Sequence, residues 1–275
     1  MIALIDGDML IYRAAFANQI TVDLDDGLGS EPMVDERAAI RTAVQLVAEW
    51  TKKAGCSRPI ICLSSVKSDS FRHRLWPEYK ANRKSPKPLA YAAIRSALEM
   101  EYEVYAEAGL EADDLMGIAA TSEAAQCVIV SGDKDMKTIP ALVLNPSHDQ
   151  RPVRIKPGIA DQMWMKQTMI GDVIDNYPGI PGVGDVGAQA ILLSPHRIRK
   201  TNVGKRKAIW KWVKGEPCTV WQSMLDYAEK AGMTEEQLIT MAQVARILRN
   251  TDYDSSTRTV RLWRPGGHME MKLDG

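Results

Sequence analysis

Histidine and cysteine are scarce in this chain, with four of each among 275 residues. The cysteines, Cys56, Cys62, Cys127 and Cys218, show no paired metal-ligand spacing, and two lie in apolar strand-like runs, so they read as core thiols. Histidine is nearly missing from the polar motifs, which argues against a zinc site of the His/Cys kind. No apolar run approaches the roughly 20 residues of a membrane span, and the opening MIALIDGD breaks its run at Asp6. Neither a span nor a signal peptide is expected, and a monomeric cytoplasmic protein is the default. Repeats and low-complexity tracts are lacking too. Net charge is also missing, since 35 Lys and Arg balance 35 Asp and Glu. On its own that balance argues against a nucleic-acid partner.

What is present is ordinary in bulk: 45% apolar and 25% charged residues, enough chain for one large domain or two moderate ones. The charge is unevenly distributed. From Arg72 to Lys87 the only acid is Glu78, and from Val186 to Gly215 there is no acid at all. A neutral total therefore conceals basic surfaces and an acidic pocket in one molecule.

Three continuous apolar runs, IALI (2–5), PIICL (59–63) and CVIV (127–130), suit parallel strands covered on both faces. Helical patterns lie between them. DERAAIRTAVQLVAEWTKKAG has Asp35 as N-cap and Gly55 at its C-terminal stop, and PLAYAAIRSALEM has Pro88 at its start. The alternation predicts an α/β fold with a parallel sheet in the first half. TVDLDDGLGSEPM reads as a solvated loop. Near residue 160 the pattern becomes helix, Gly/Pro-rich hairpin, helix. Beyond about residue 216 a helix (TEEQLITMAQVARILRN) and a strand (TRTVRLW) are expected, without chemistry attached.

Polar residues follow each apolar run: Asp6, then SSVKSD, then SGDKD with Asp133 and Asp135. Ligands of open α/β sheets bind outside the carboxyl ends of the strands, so these groups are expected to meet at one edge. GLEADDLMGIAA adds Glu111, Asp113 and Asp114 at the start of an amphipathic helix. The helix dipole explains an acid there, yet three beside an apolar face repel one another unless something positive compensates. Helical spacing makes Glu111 and Asp114 neighbours and turns Asp113 elsewhere, so it does not by itself bring all three to one point. With Asp172 and Asp175 the set suits hard divalent cations, two Mg²⁺ or Mn²⁺ about 3.5–4 Å apart, acting on a phosphodiester. PGIPGVGDVG, just downstream, reads either as a tight interhelical turn or as a backbone grip on duplex phosphates. FRHRLWPEYKANR reads either as a solvated charged face or as a clamp, its cations, Arg72 among them, on phosphates and Tyr79 or Trp76 on an unpaired base.

The motifs IDGDMLIYR, SFRHRLWPEYKANR, GLEADDLMG, SGDKDM and GDVIDNYPGIPGVG, in this order, resemble the 5′-nuclease or flap endonuclease family, which includes stand-alone phage enzymes and the 5′-nuclease domain of bacterial DNA polymerase I. The resemblance implies a PIN-like catalytic region over residues 1–158, including a helical arch over about 66–100. It also implies a helix-three-turn-helix (helix-hairpin-helix) DNA-binding region over 159–215, leaving 216–275 unassigned. It implies metal ligands at Asp6, Glu111, Asp113, Asp114, Asp133, Asp135, Asp172 and Asp175. Lys80, Arg83 and Arg13 become catalytic, facing the scissile phosphate. Arg72, Tyr79, Gly182 and Gly184 contact DNA, with a potassium ion at the hairpin. The implied substrate is DNA with 5′ ends, flaps or single-strand/double-strand junctions, in the host cytoplasm for a phage protein.

Two positions depart from the family pattern. Its aspartate after the second strand, six residues before Phe71, is Ser65 here, with Asp69 the nearest substitute, and its basic residue after the hairpin is Val186. Ser65 keeps open a DNA-binding protein of this fold with weakened catalysis. An RNase of the wider PIN group is a further alternative.

Overall fold

The computed structural model describes residues 1–23, 30–65, 70–204 and 208–273. The three apolar runs form the expected strands β1 (Ile2–Asp6), β4 (Arg58–Cys62) and β6 (Cys127–Val130). Around them the first half contains α1 (Gly7–Ala17), β2 (Gln19–Asp23), β3 (Ser30–Val34), α2 (Glu36–Lys53), α3 (Arg72–Leu75), α4 (Tyr91–Glu101), β5 (Val104–Tyr105) and α5 (Ala112–Ala120). The remainder comprises β7 (Leu142–Leu144), β8 (Val153–Arg154), α6 (Pro157–Ile170), α7 (Asp185–Leu193), β9 (His196–Asn202), β10 (Trp210–Pro217), α8 (Val220–Lys230), α9 (Glu235–Val244), β11 (Tyr253–Asp254), β12 (Thr259–Arg264) and β13 (Gly267–Lys272).

The central sheet has six strands in the order β5-β4-β1-β6-β7-β8, parallel except for β8 against β7. Successive side chains of a strand point to opposite faces. Ala3 and Ile5 accordingly enter a core with α1, α2 and α4, while Leu4 enters a second core with α5. That second core also takes Ile247, Leu248, Val260, Leu262 and Leu273, so C-terminal elements cover one sheet face. Gly117 of α5 makes this close approach feasible, because a Cβ there would lie 2.3 Å from the Leu248 carbonyl oxygen.

Some local expectations change. TVDLDDGLGSEPM is not wholly loop, since its ends belong to the antiparallel pair β2 and β3. Within the expected arch, residues 76–90 are turns and extended chain, with only one helical turn before them in α3, so a continuous helical arch is not formed by the described residues. Three prolines, Pro77, Pro86 and Pro88, account for this by removing backbone donors and excluding helix before them. Pro88 itself precedes α4 by a turn. Cys62 is buried as expected, whereas Cys56, Cys127 and Cys218 are half-buried.

Candidate active site

Parallel pairing sets the register that builds the site. Asp6 aligns with Cys62 and Ile5 with Val130, so the residues leaving β1, β4 and β6 emerge at one edge. Asp6 ends β1 and caps α1, accepting from Met9 N–H at 2.9 Å and from Ser131 Oγ, just past β6, at 2.7 Å. Ser64, past β4, accepts from Ala112 N–H at 3.0 Å and so ties the start of α5 to the same edge. Asp133 accepts from Asp135 N–H at 2.8 Å in a tight turn after β6. The loop after α6 supplies Asp172 and Asp175. It is joined to residues 76–83 by Lys80 N–H on the Asp175 carbonyl (2.9 Å), Asn82 on the Val173 carbonyl (2.7 Å) and Trp76 on the Asn176 carbonyl (2.8 Å). Lys80 adopts φ +56°, a left-handed conformation that this loop-to-loop bonding holds in place.

A cleft of about 770 Å³ results, lined by Asp6, Asp8, Glu111, Asp113, Asp133, Asp135, Asp172 and Asp175, with Lys80, Arg83 and Lys134. Its carboxylates fall into two electrostatic groups. Burial raises Asp6 from the ordinary 3.8 to about 6, with Asp8 and Asp133 adding to the shift against its two hydrogen bonds. Asp113 is pushed well up by burial and by the charges of Asp6 and Asp133. In the second group, burial would raise Glu111 as well. There Lys80 and Arg72 overcome it and hold the carboxyl at about 2. Lys134 bridges Asp135 (3.1 Å) and Asp172 (2.9 Å), and Arg83 Nη2 meets Asp175 Oδ1 at 2.7 Å. Burial again opposes the shift at Asp172, where Lys134 and the N–H groups of Asp175 and Ile174 bring its carboxyl below the ordinary value.

The donor set is entirely oxygen, the preference of hard divalent cations. Among the described residues no three acids, histidines or cysteines yet surround one point closely enough to hold a metal. Asp6, Asp113 and Asp133 nonetheless press negative charge together with no ion pair among the described residues, and a divalent ion between them would relieve both burial and repulsion. The residues fit the group.

Not every expected site residue reaches the cleft. Asp114 is fully buried, with its two oxygens on Arg72 at 2.7 and 2.8 Å and the Leu248 N–H at 3.1 Å, so it ties α5 to the interior and is not placed as a metal ligand. Arg72 is 3% exposed and also donates to the carbonyls of Val244 (3.0 Å) and Arg246 (2.7 Å), which removes it from DNA contact. Tyr79 is equally buried, its hydroxyl 2.9 Å from Glu111 and 3.1 Å from Asp175, so its ring is not available to stack on a base. Arg13 is exposed but does not line the cleft. Its guanidinium donates to Ser147 Oγ at 2.7 Å and lies over Trp50. Ser65 lines the cleft, while Asp69 lies outside the described residues. Gly182 (φ +83°) and Gly184 sit before α7 with open space where a Cβ would be.

Sequence reasoning passed over Asp8, Lys134 and Ser131. Asp8 accepts from the Ser64 N–H at 3.1 Å and lies 3.3 Å from the Tyr91 hydroxyl. Its signal was the two-residue spacing in IDGD, which puts a second acid on the first turn of α1. Lys134 stood between the two acids of SGDKD, and Ser131 opens that motif.

Residues 1–149 match the profile of a family described as 5′-3′ exonuclease, N-terminal resolvase-like domain. The exonuclease of Escherichia phage T7 is 34% identical over 96% of this chain and 93% of its own length. The exodeoxyribonuclease of Enterobacteria phage T3 is 33% identical over the same shares. Among solved structures, the bacteriophage T5 D15 flap endonuclease in complex with DNA and metal ions superposes with a TM-score of 0.55 at 15% identity, over 89% of this chain and 92% of that one. A profile match across more than half of the chain, and phage relatives aligned over nearly all of it, agree with the acidic cleft at the strand edge: the chain belongs to the 5′-3′ exonuclease family.

Proposed function

We propose that the acidic cleft hydrolyses DNA phosphodiester bonds, making the protein a 5′-3′ exodeoxyribonuclease with structure-specific flap endonuclease activity and 5′-phosphate products. One observation carries this reading: acids from β1, α5, the turn after β6 and the loop after α6 converge on one cleft, and those around Asp6 and Asp113 form no ion pair among the described residues.

Asp6, Asp113 and Asp133 would hold Mg²⁺ or Mn²⁺, with Glu111, Asp135, Asp172 and Asp175 completing sites for two ions. Bound divalent cations supply a lowered water pKa and positive charge at the phosphate. The chain's own part is positioning. Lys80 and Arg83 now rest on Glu111 and Asp175. A phosphodiester in the cleft offers them a competing anion, so they orient the phosphate and offset the charge that grows on it in the transition state. Lys134 keeps Asp172 next to Asp135. Residues 159–215, with α6, its glycine-containing loop and α7, serve as the helix-three-turn-helix region. The N–H groups around Gly182 and Gly184 face duplex phosphates or a potassium ion. Residues 1–158 form the PIN-like catalytic unit, and 66–100 stand in the position of the arch. No helix among the described residues is long and apolar enough to cross a membrane. The reading is completed by a monomer working on DNA 5′ ends and flaps in the cytoplasm.

Incubation with 5′-flap and nicked duplex DNA tests this reading. Cleavage that requires Mg²⁺ and stops with EDTA is expected, and no metal-dependent cleavage of either substrate rejects it. Ser65, which lines the cleft where the family pattern has an aspartate, favours a second reading, a DNA-binding protein with weakened catalysis. Asp133→Ala separates the two. Cleavage lost with binding retained supports the nuclease, whereas no cleavage by parent or variant, with equal binding, supports the binding protein.

A further inference from the structure

β9 and β10 form a two-stranded sheet of their own, apart from the central one. Its root is fixed to α8. Asp226, 4% exposed, accepts from Arg197 Nε at 2.8 Å, from Nη2 at 2.9 Å and from the Ile198 N–H at 2.8 Å. Ser223 Oγ adds a bond to the His196 carbonyl at 2.9 Å.

Beyond that root the hairpin changes character. Arg199, Lys200, Lys211 and Lys214 are exposed and, among the described residues, pair with no carboxylate, and Trp210 is 60% exposed. Directly opposed residues of an antiparallel pair share a face. The pairs Trp210↔Asn202, Trp212↔Lys200 and Lys214↔Ile198 therefore put both tryptophans and two of the lysines on one face of the ribbon. A lone two-stranded ribbon is marginal by itself, and folding gives no reason to leave an indole in water at its far end. Within residues 196–217 the only acid is Glu216, although the chain as a whole is neutral. So local an excess calls for an anionic partner. Cations interleaved with an exposed indole ring match an unpaired nucleic-acid strand, whose phosphates meet the cations and whose base faces are free to stack. A duplex offers the phosphates but keeps its base faces stacked against one another.

We propose that the β9–β10 hairpin is a second DNA contact outside the acidic cleft, holding an unpaired strand by stacking on Trp210 and by phosphate contacts from Lys200 and Lys214 on the same face. The inference rests on the DNA-cleaving reading above for the identity of its partner.

Fluorescence anisotropy of the full chain in EDTA, on a 5′-flap substrate and on a blunt duplex across a salt series, tests it. Trp210→Ala is expected to weaken flap binding about tenfold and to leave blunt-duplex binding within about twofold. Lys200→Ala/Lys214→Ala is expected to reduce the slope of log affinity against log salt by about 1.4 on the flap substrate. Thermal melting checks that each variant is folded. Should the double variant lose its fold, Lys200→Ala alone, with an expected slope change of about 0.7, carries the test. Unchanged affinity and slope, or equal weakening on both substrates, overturns the proposal. Cleavage by the parent with Mg²⁺ keeps the two readings apart. A parent that cleaves but is indifferent to the hairpin changes refutes only the hairpin contact, while one that binds flaps through the hairpin without cleaving refutes only the nuclease.

Discussion

Of the cleft carboxylates, Asp6, Asp8, Asp113 and Asp133 make a bare side with no ion-pair partner among the described residues, while Glu111, Asp172 and Asp175 make a paired side, each holding a cation of the chain. Burial is common to both sides. What separates them is the source of the compensating charge. The paired side brings its own, by way of Lys80, Arg83 and Lys134, and is settled in the folded protein alone. On the bare side Asp6 and Asp113 are raised in pKa and cost folding energy at neutral pH, which is the condition under which an added cation gains most by binding.

Asp113→Asn breaks the bare side most directly and carries the largest expected effect. It removes one of the crowded charges without changing the shape of the side chain. DNA cleavage is expected to fall by about a thousandfold or more, since losing one strong electrostatic contribution at a reacting centre has effects of about that size. The stability of the metal-free protein is expected to move the opposite way, with a higher midpoint in EDTA than the parent and a smaller midpoint gain on adding Mg²⁺. Activity assays beside thermal melts with and without Mg²⁺ check both. A variant that loses activity and also melts lower in EDTA would show that the bare side is not strained.

The paired side is probed by Arg72→Ala and Lys80→Ala. Arg72 joins Glu111 and Asp114 to the backbone of residues 244 and 246. Removing it leaves a fully buried carboxylate unpaired, at an expected cost of about 3–5 kcal/mol. Denaturant melts measure that loss, and the salt dependence of DNA binding is expected to be unchanged because Arg72 reaches no phosphate. Lys80→Ala leaves Arg72 still on Glu111 and should destabilise far less. Its expected signature is kinetic, about a hundredfold lower cleavage rate with DNA affinity nearly retained.

Both sides predict a pH response in EDTA, and the signs differ. Glu111, at about 2 against an ordinary 4.5, contributes stability that is complete above pH 4.5 and lost as pH falls toward 2. Asp6, at about 6 against 3.8, penalises the folded state above pH 6, and the penalty disappears as pH falls through 6 toward 3.8. The metal-free midpoint is therefore expected to rise from pH 7 to about 5 and to fall below about 4. Saturating Mg²⁺ should abolish the rise, because protonation of Asp6 then competes with the ion. Melting curves across this range, with and without metal, decide the point, and a metal-free midpoint that falls steadily from pH 7 contradicts the assignment.

The bare side was the more legible of the two from sequence. Continuous apolar runs ended by acids located the strand edge, because parallel strands deliver their carboxyl ends to one place, and five short motifs identified the family. The paired side depends on contacts between residues remote in the chain, such as Arg72 with Asp114 or Lys134 with Asp172. Nothing in a linear pattern distinguishes an arginine turned inward from one turned to a phosphate. Arg72 and Tyr79 were accordingly expected on DNA, although each lies within a buried network. The β9–β10 hairpin was legible as charge but not as strand, since HRIRKTN and WKWVKGEP carry too few apolar positions to show an alternating face.

The smallest expected effect concerns Ser65, which borders the bare side where the family pattern has an aspartate. Its backbone N–H lies 3.4 Å from the Leu110 carbonyl, so the position is held beside the start of α5 without depending on its side chain. Ser65→Asp would add a further negative charge to a group that already lacks a cation. In EDTA this should lower the melting midpoint, by the same repulsion that raises Asp113. With Mg²⁺ the sign should reverse, because an added oxygen donor tightens the ion, by about tenfold or less at this partly exposed position. Titrating Mg²⁺ into parent and variant while following the midpoint measures both effects together. A variant destabilised in EDTA with no gain in Mg²⁺ affinity would place the ion away from the β4 end of the edge, between Asp6, Asp113 and Asp133 alone.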